Sequence, residues 1–275
     1  MIKIDNLKFG YGKKEIFEGF NLEIPDGQTC LVTGINGVGK STLLRLIAGV
    51  LLPDGGNISF GPDMPLDPRF KIGFLSDKIS LYESLKVSQM IELHMKMYGI
   101  KNFDYSLLEH TKIGMQQRVK ELSWGHRTIF LLSLVLAIEP EVLLIDEVIH
   151  SIDAYLRKVF LEKVIGLISE RKITVVMVNL NFHDVENIVD RVILLKDGKI
   201  AVDSDLDSLK AKVKKVVSTE PLKDVPVILR IPRENYTEYF VYPFDEKAHR
   251  PAVKGKVMDL DLTDIVTAFI GGEYV

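Results

Sequence analysis

Nine consecutive residues, Gly34-Ile35-Asn36-Gly37-Val38-Gly39-Lys40-Ser41-Thr42, have the types and spacing that hold a polyphosphate. Glycines let successive backbone N–H groups turn inward on an anion, and a helix starting at the end of the loop adds roughly half a positive charge behind them. Lys40 is placed to reach the β- and γ-phosphates, and the Ser41 hydroxyl to bind Mg²⁺. A tight glycine turn without a ligand is the plain alternative, against which stand a lysine and two hydroxyls at the required offset. The second chemical element is Asp146-Glu147, at the end of the apolar run Val142-Leu143-Leu144-Ile145. Two solvated loop carboxylates would be the bland reading. With a phosphate loop upstream, Asp146 is read as holding Mg²⁺ through water and Glu147 as aligning or deprotonating an attacking water, help worth about 10² to 10⁴-fold.

These residues need elements to position them. Thr29 to Thr33 is an apolar strand-like run before the loop, and Leu43 to Ala48 a helix-forming run after it. Upstream, Ile2 to Phe9 and Phe20 to Ile24 alternate like half-buried strands, so an antiparallel layer precedes the loop; Tyr11 is placed on its turn, beside Gly10 and Gly12. Asn57 to Phe60 and Lys71 to Asp77 read as further strands. From Leu81 to about Val119 the period becomes helical, with Val87, Met90, Ile91, Leu93, His94, Met97 and Tyr98 on one face. Ile129 to Ile138 is apolar all round and predicts a buried helix ending before Glu139-Pro140. Val142 to Ile145, Ile173 to Val178 and Arg191 to Leu195 read as strands, the last two joined by a helix over about 184–190. Beyond about Asp205 prolines punctuate short strand-like runs such as Tyr239 to Tyr242, and a final amphipathic helix covers Leu262 to Ile270.

A chain of 275 residues predicts one or two domains, and a net charge of −3 argues against a nucleic-acid partner. The single cysteine, Cys30, excludes an intramolecular disulfide and reads as a buried thiol, which suits the cytosol. No signal peptide is visible, and the longest apolar run falls far short of the roughly 20 residues that span a bilayer.

Taken in order, these motifs resemble those of the nucleotide-binding subunits of ATP-binding cassette (ABC) transporters, over about residues 1–205. Gly34 to Thr42 stands where that family has its Walker A motif, Val142 to Glu147 its Walker B motif, and Leu122-Ser123-Trp124-Gly125-His126-Arg127 its LSGGQ signature. The resemblance implies an α/β P-loop NTPase with an antiparallel β subdomain, an inserted helical subdomain over about 78–140, and a small C-terminal α/β domain over 206–275. It implies that Asn36, Gly37, Val38, Gly39, Lys40, Ser41 and Thr42 bind ATP, that Tyr11 stacks on adenine, and that Ser123 and Gly125 face the nucleotide of a second copy. Ser41, Asp77 and Asp146 would hold Mg²⁺, Lys40 and Glu147 would serve catalysis, and Asp153 takes the D-loop position. The implied assembly is a head-to-tail homodimer, or a heterodimer with a second ATPase subunit, at the inner face of the cell membrane on a transmembrane permease. The tail Asp259 to Val266 is similar to that of exporter-type subunits.

The chain departs from the pattern in three motifs. Asp77 stands for the Q-loop glutamine, Trp124 and His126 replace a glycine and the glutamine of the signature, and Leu180 falls where the switch histidine belongs. His183, three residues on, reads as an ordinary polar residue at a helix start. Leucine donates no hydrogen bond to a transferring phosphoryl group, and one such donor is typically worth roughly 3 to 4 kcal/mol, so turnover is expected to be slow. Two alternatives follow: an ATP-binding regulatory module that dimerises without hydrolysis, and an ABC-type ATPase not involved in transport.

Overall fold

The computed structural model describes residues 1–76, 81–178 and 181–271. In chain order its elements are β1 (Ile2–Tyr11), β2 (Lys14–Ile24), β3 (Thr29–Gly34), α1 (Lys40–Ile47), β4 (Gly55–Phe60), β5 (Ile72–Ser76), α2 (Val87–Tyr98), α3 (Ser106–His110), α4 (Trp124–Ala137), β6 (Val142–Asp146), α5 (Ala154–Arg171) and β7 (Thr174–Val178). There follow β8 (Arg191–Lys196), β9 (Lys199–Asp205), α6 (Leu206–Lys212), β10 (Lys214–Ser218), β11 (Val227–Pro232), β12 (Thr237–Val241), α7 (Glu246–His249), β13 (Lys256–Met258) and α8 (Leu262–Phe269). The described chain divides into two compact units, one made of residues 1–30 and 41–178, the other of residues 31–40 and 181–271.

In the first unit, β1 alternates buried and exposed residues and pairs antiparallel with β2 on one side and β4 on the other. Its buried face carries Ile2, Ile4, Leu7 and Phe9, as a sheet with one covered face requires. The strands β5, β6 and β7 run parallel, with Ile72 opposite Val142 and Asp146 opposite Val178. Every residue of β6 and β7 is buried, which explains their unbroken apolar runs: a parallel sheet is covered on both faces. Side α4 lies close against β5, where Val135 fills the space that a side chain on Gly73 would need. Among the described residues no helix is long and apolar enough to cross a membrane.

The helical stretch is more broken than its period predicts. α2 ends at Gly99, whose φ of 66° gives the left-handed cap that terminates a helix, and α3 is only five residues long. The flanking segments instead pair with each other: Val119 N–H donates to the Leu85 carbonyl and Val87 N–H to the Gln117 carbonyl, around the Lys86–Arg118 bridge. Glycines at 99 and 114 supply the breaks that helical periodicity in Val87 to Tyr98 conceals. The long helix α5, in turn, has no counterpart in the sequence reading. Its buried residues Leu156, Val159, Phe160, Val164 and Leu167 keep helical spacing, but exposed Tyr155 and Ile165 on the other side blur the apolar face. The signal that marks its start is Asp153, whose carboxylate accepts the Tyr155 and Leu156 N–H groups as an N-cap.

In the second unit, β8 pairs antiparallel with β9 and lies next to β3. The expected helix over 184–190 is two short 3-10 turns, Phe182–Asp184 and Glu186–Ile188. Val185, Ile188 and Val189 make a poor and short helical segment, below the length at which helix propagation offsets nucleation. An antiparallel sheet in the order β11-β12-β10-β13 follows, with its own core of Val216, Tyr239, Val241, Phe244 and Val253. The predicted basic helix end over Lys210 to Lys215 divides at Val213, so that α6 stops and Lys214 opens β10. The final helix lies where its amphipathic pattern predicts, with Leu262, Ile265 and Val266 buried.

Candidate functional site

The phosphate loop follows β3, whose residues are buried throughout. Gly34, Gly37 and Gly39 take φ of 140°, 80° and 116°, values that side-chain-bearing residues rarely adopt, so the turn depends on glycine. At Gly34 the backbone also runs so close to the Leu195 carbonyl that no Cβ would fit. No atom lies within 4 Å of the point where a Gly37 side chain would begin, leaving the loop's outer side open to a ligand. Lys40 is 5% exposed, and its Nζ folds back to donate to the Gly34 carbonyl at 2.8 Å and the Ile35 carbonyl at 3.1 Å. An anion bound in the loop would offer this buried ammonium a charge-assisted bond.

Lys40 opens α1, and the next two residues make contacts within the first unit. Ser41 Oγ donates to Asp146 Oδ1 at 2.7 Å across 105 positions of sequence. Asp146 is 1% exposed at the carboxyl end of β6, between Ser76 and Val178 on the neighbouring strands. A hydroxyl and a carboxylate oxygen at contact distance are the hard oxygen donors that fit Mg²⁺, which takes one or two protein ligands and completes its shell with phosphate and water. Among the described residues no group of three or more His, Cys, Asp or Glu gathers to hold a metal. Asp77, the third expected ligand, lies outside the described residues.

Tyr11 is the last residue of β1 rather than part of the turn, and it is 48% exposed. Its ring meets Phe9 edge to face, with centroids 5.0 Å apart, and its hydroxyl is 3.5 Å from Thr42 Oγ1. The outer ring is thereby held beside the start of α1 with a face left for stacking. Glu147 follows β6 in the left-handed region, at φ 54° and ψ 18°, and its backbone N–H donates to the Val178 carbonyl at 3.0 Å. A non-glycine residue there stores strain, a feature frequent at functional sites.

Ser123 caps α4, its Oγ accepting the His126 N–H at 3.3 Å and lying 2.8 Å from His126 Nδ1. Trp124 next to it is exposed, while Arg127 is turned away to Glu83 at 2.8 Å and to the carbonyls of Lys120 and Leu122. Gly125 has a packing role that the sequence reading missed: a Cβ there would meet Leu156 Cδ1 at 2.7 Å and Ile152 Cγ2 at 3.2 Å. The His126 contact was also missed, although an imidazole three residues after a helix-capping serine is the signal for it. Asp153 is occupied as the cap of α5. His183 is exposed on its 3-10 turn, and Leu180 lies outside the described residues.

Residues 17–150 match the family model described as ABC transporter. The "Probable sulfate/thiosulfate import ATP-binding protein CysA" of Chlorella vulgaris is 32% identical over 211 residues, 72% of this chain and 89% of that protein. The chain belongs to the ABC transporter family. It is an ATP-binding cassette of that family, an ATPase domain of the type that serves transport. A second similar protein is the "Linearmycin resistance ATP-binding protein LnrL" of Bacillus subtilis (strain 168), 30% identical over 75% of the cassette and 70% of its own length. Among solved structures, the fold is shared with MJ0796, described as a dimeric post-hydrolysis state bound to ADP and Pi. That match has a TM-score of 0.65 at 23% identity and covers 75% of the cassette and 99% of the other chain.

Proposed function

We propose that this cassette binds Mg²⁺ and ATP and hydrolyses the nucleotide slowly, between two copies arranged head to tail, to drive a separate membrane permease. The observation that carries the reading is the Ser41 Oγ–Asp146 Oδ1 contact at 2.7 Å, which joins the hydroxyl after the phosphate-loop lysine to the end of the carboxylate-bearing strand. Asn36 to Thr42 would wrap the phosphates, Lys40 would leave its carbonyl partners for them, and Tyr11 would cover the adenine. Ser41 and Asp146, with Asp77, would hold the metal, which supplies charge neutralisation on the phosphate oxygens. Glu147 would take the proton of the attacking water. Ser123 and Gly125, at the start of α4, would meet the terminal phosphate held by the other copy, where the helix adds its N-terminal partial charge.

The solved structure described as dimeric supports the pairing of two copies, and the two import and resistance proteins named above support work with a permease. We further propose the inner face of the cell membrane as its location, a partition into a cassette over 1–205 with a helical subdomain over about 78–140 and a small domain over 206–275, and export as the direction, on the tail Asp259 to Val266. The test is phosphate release by the parent, Glu147→Gln and Leu180→His proteins. Slow release by the parent, none by Glu147→Gln with an ATP-trapped dimer, and up to about 10²-fold faster release by Leu180→His is the expected pattern. No release above background by the parent, with Leu180→His equally silent, would refute hydrolysis and leave a module that only binds.

A further inference from the structure

Ser123 Oγ has two contacts to one residue: the His126 backbone N–H at 3.3 Å and the His126 ring nitrogen Nδ1 at 2.8 Å. A hydroxyl has one proton and two lone pairs, and an imidazole nitrogen either donates or accepts. Only two proton arrangements satisfy both contacts. When Nδ1 is bare, Ser123 gives it its only proton, and the hydroxyl can turn nothing but a lone pair outward. When Nδ1 carries a proton, the ring and the backbone N–H together occupy both lone pairs, and the hydroxyl proton is free to be donated outward. A phosphate oxygen is repelled in the first state and bound in the second. Imidazolium enforces the second state, whereas a neutral ring must adopt the Nδ1–H tautomer to reach it.

We propose, resting on the head-to-tail reading above, that His126 is a positioning residue that orients the Ser123 hydroxyl, and that protonation of its ring turns that hydroxyl into a donor toward the terminal phosphate held by a second copy of this chain. His126 acts only through Ser123. On α4 and the segment before it, Arg127 is engaged with Glu83, and Glu121 accepts the Arg118 N–H. From α5, Asp153 faces the start of α4, with Oδ2 3.6 Å from the position of a Gly125 Cβ and Oδ1 occupied by two N–H groups, and Arg157 donates to the Ile152 carbonyl. Of the other elements packed on α4, α3 carries Glu109 and His110, and the turn after β6 carries His150.

Trp124, the only tryptophan of the chain, sits beside Ser123 and is 38% exposed, so its fluorescence reports closure of a second copy over this helix start. The experiment measures ATP-dependent dimerisation, by sedimentation and by this fluorescence, between about pH 6 and pH 8 in the range where histidine titrates. It uses the Glu147→Gln background to hold ATP intact, and a fluorescent ATP analogue measures binding to the single copy alongside. Dimerisation should tighten by about tenfold towards the lower pH, the worth of one hydrogen bond gained. His126→Gln, whose amide donates to Ser123 at any pH, should be flat and tight; His126→Ala should be flat and weak. Analogue binding to the single copy should not change in either variant. The same pH dependence in His126→Gln and His126→Ala as in the His126 protein overturns the proposal while the head-to-tail reading stands. An absence of any ATP-dependent dimer with analogue binding intact overturns that reading, and the proposal with it.

Discussion

Replacing Gly125 by alanine tests whether this signature glycine serves packing as well as ligand approach. Its backbone has no positive φ, so alanine brings no backbone strain and, in a helix, about 1 kcal/mol of better propensity. Against this, the new methyl would lie 2.7 Å from Leu156 Cδ1 and 3.2 Å from Ile152 Cγ2. Both neighbours are 3% exposed, so neither can swing out into solvent without giving up its burial. Overpacking of a filled core costs about 1 to 3 kcal/mol, so after the propensity gain the net loss should reach up to about 2 kcal/mol. In a chain of this size each 1 kcal/mol lost lowers the melting temperature by about 2 to 4 °C, measurable by calorimetry. Leu156→Ala alone should destabilise by about 2 to 5 kcal/mol, but the double variant should lose less than the sum, because the truncated Leu156 makes room for the methyl. ATP binding to the single chain should not move, since the phosphate loop lies elsewhere. Gly125→Ala melting at or above the parent, or a strictly additive double variant, would refute the packing argument.

Other expected outcomes follow from single contacts. Lys40→Ala removes a buried ammonium from the Gly34 and Ile35 carbonyls and should weaken ATP binding at least tenfold in calorimetry, with the circular dichroism spectrum retained; equal affinity would dismiss the phosphate loop. Tyr11→Ala should lose roughly 0.5 to 1.5 kcal/mol of nucleotide affinity and Tyr11→Trp should keep it, whereas an unchanged Tyr11→Ala returns the residue to the role of a strand-end aromatic. His94 packs on the Tyr98 ring at 4.6 Å, and burial holds its imidazole below the ordinary histidine range, against a smaller upward pull from the Leu134 backbone. The unfolded chain then takes up a proton before the folded one does. The contribution is therefore present above about pH 6.5 and is lost as pH falls from there through the folded value. Melting curves of His94→Leu should fall less steeply with acid than those of the parent, and parallel curves would exclude His94 as a source of the loss.

The residues that do chemistry were legible in the sequence because their requirements are local. A loop that must wrap phosphate needs glycines at fixed offsets, and a carboxylate at the end of a covered strand needs an apolar run before it. The strands β3, β6 and β7 were legible for the same reason, since burial on all sides leaves an unbroken apolar segment, and so was the apolar part of α4 from Ile129 onward. What local pattern could not decide was decided by contact. The helix α5 escaped because exposed apolar side chains hid its buried face, and the segment 184–190 looked helical although it had too few residues to propagate a helix. Ser41 and Asp146 are 105 positions apart, and only the fold brings a hydroxyl and a carboxylate to 2.7 Å. Gly125 is a glycine in any reading of the sequence, but that α5 leaves no room there for a methyl group follows from the packing of two helices whose meeting no motif encodes.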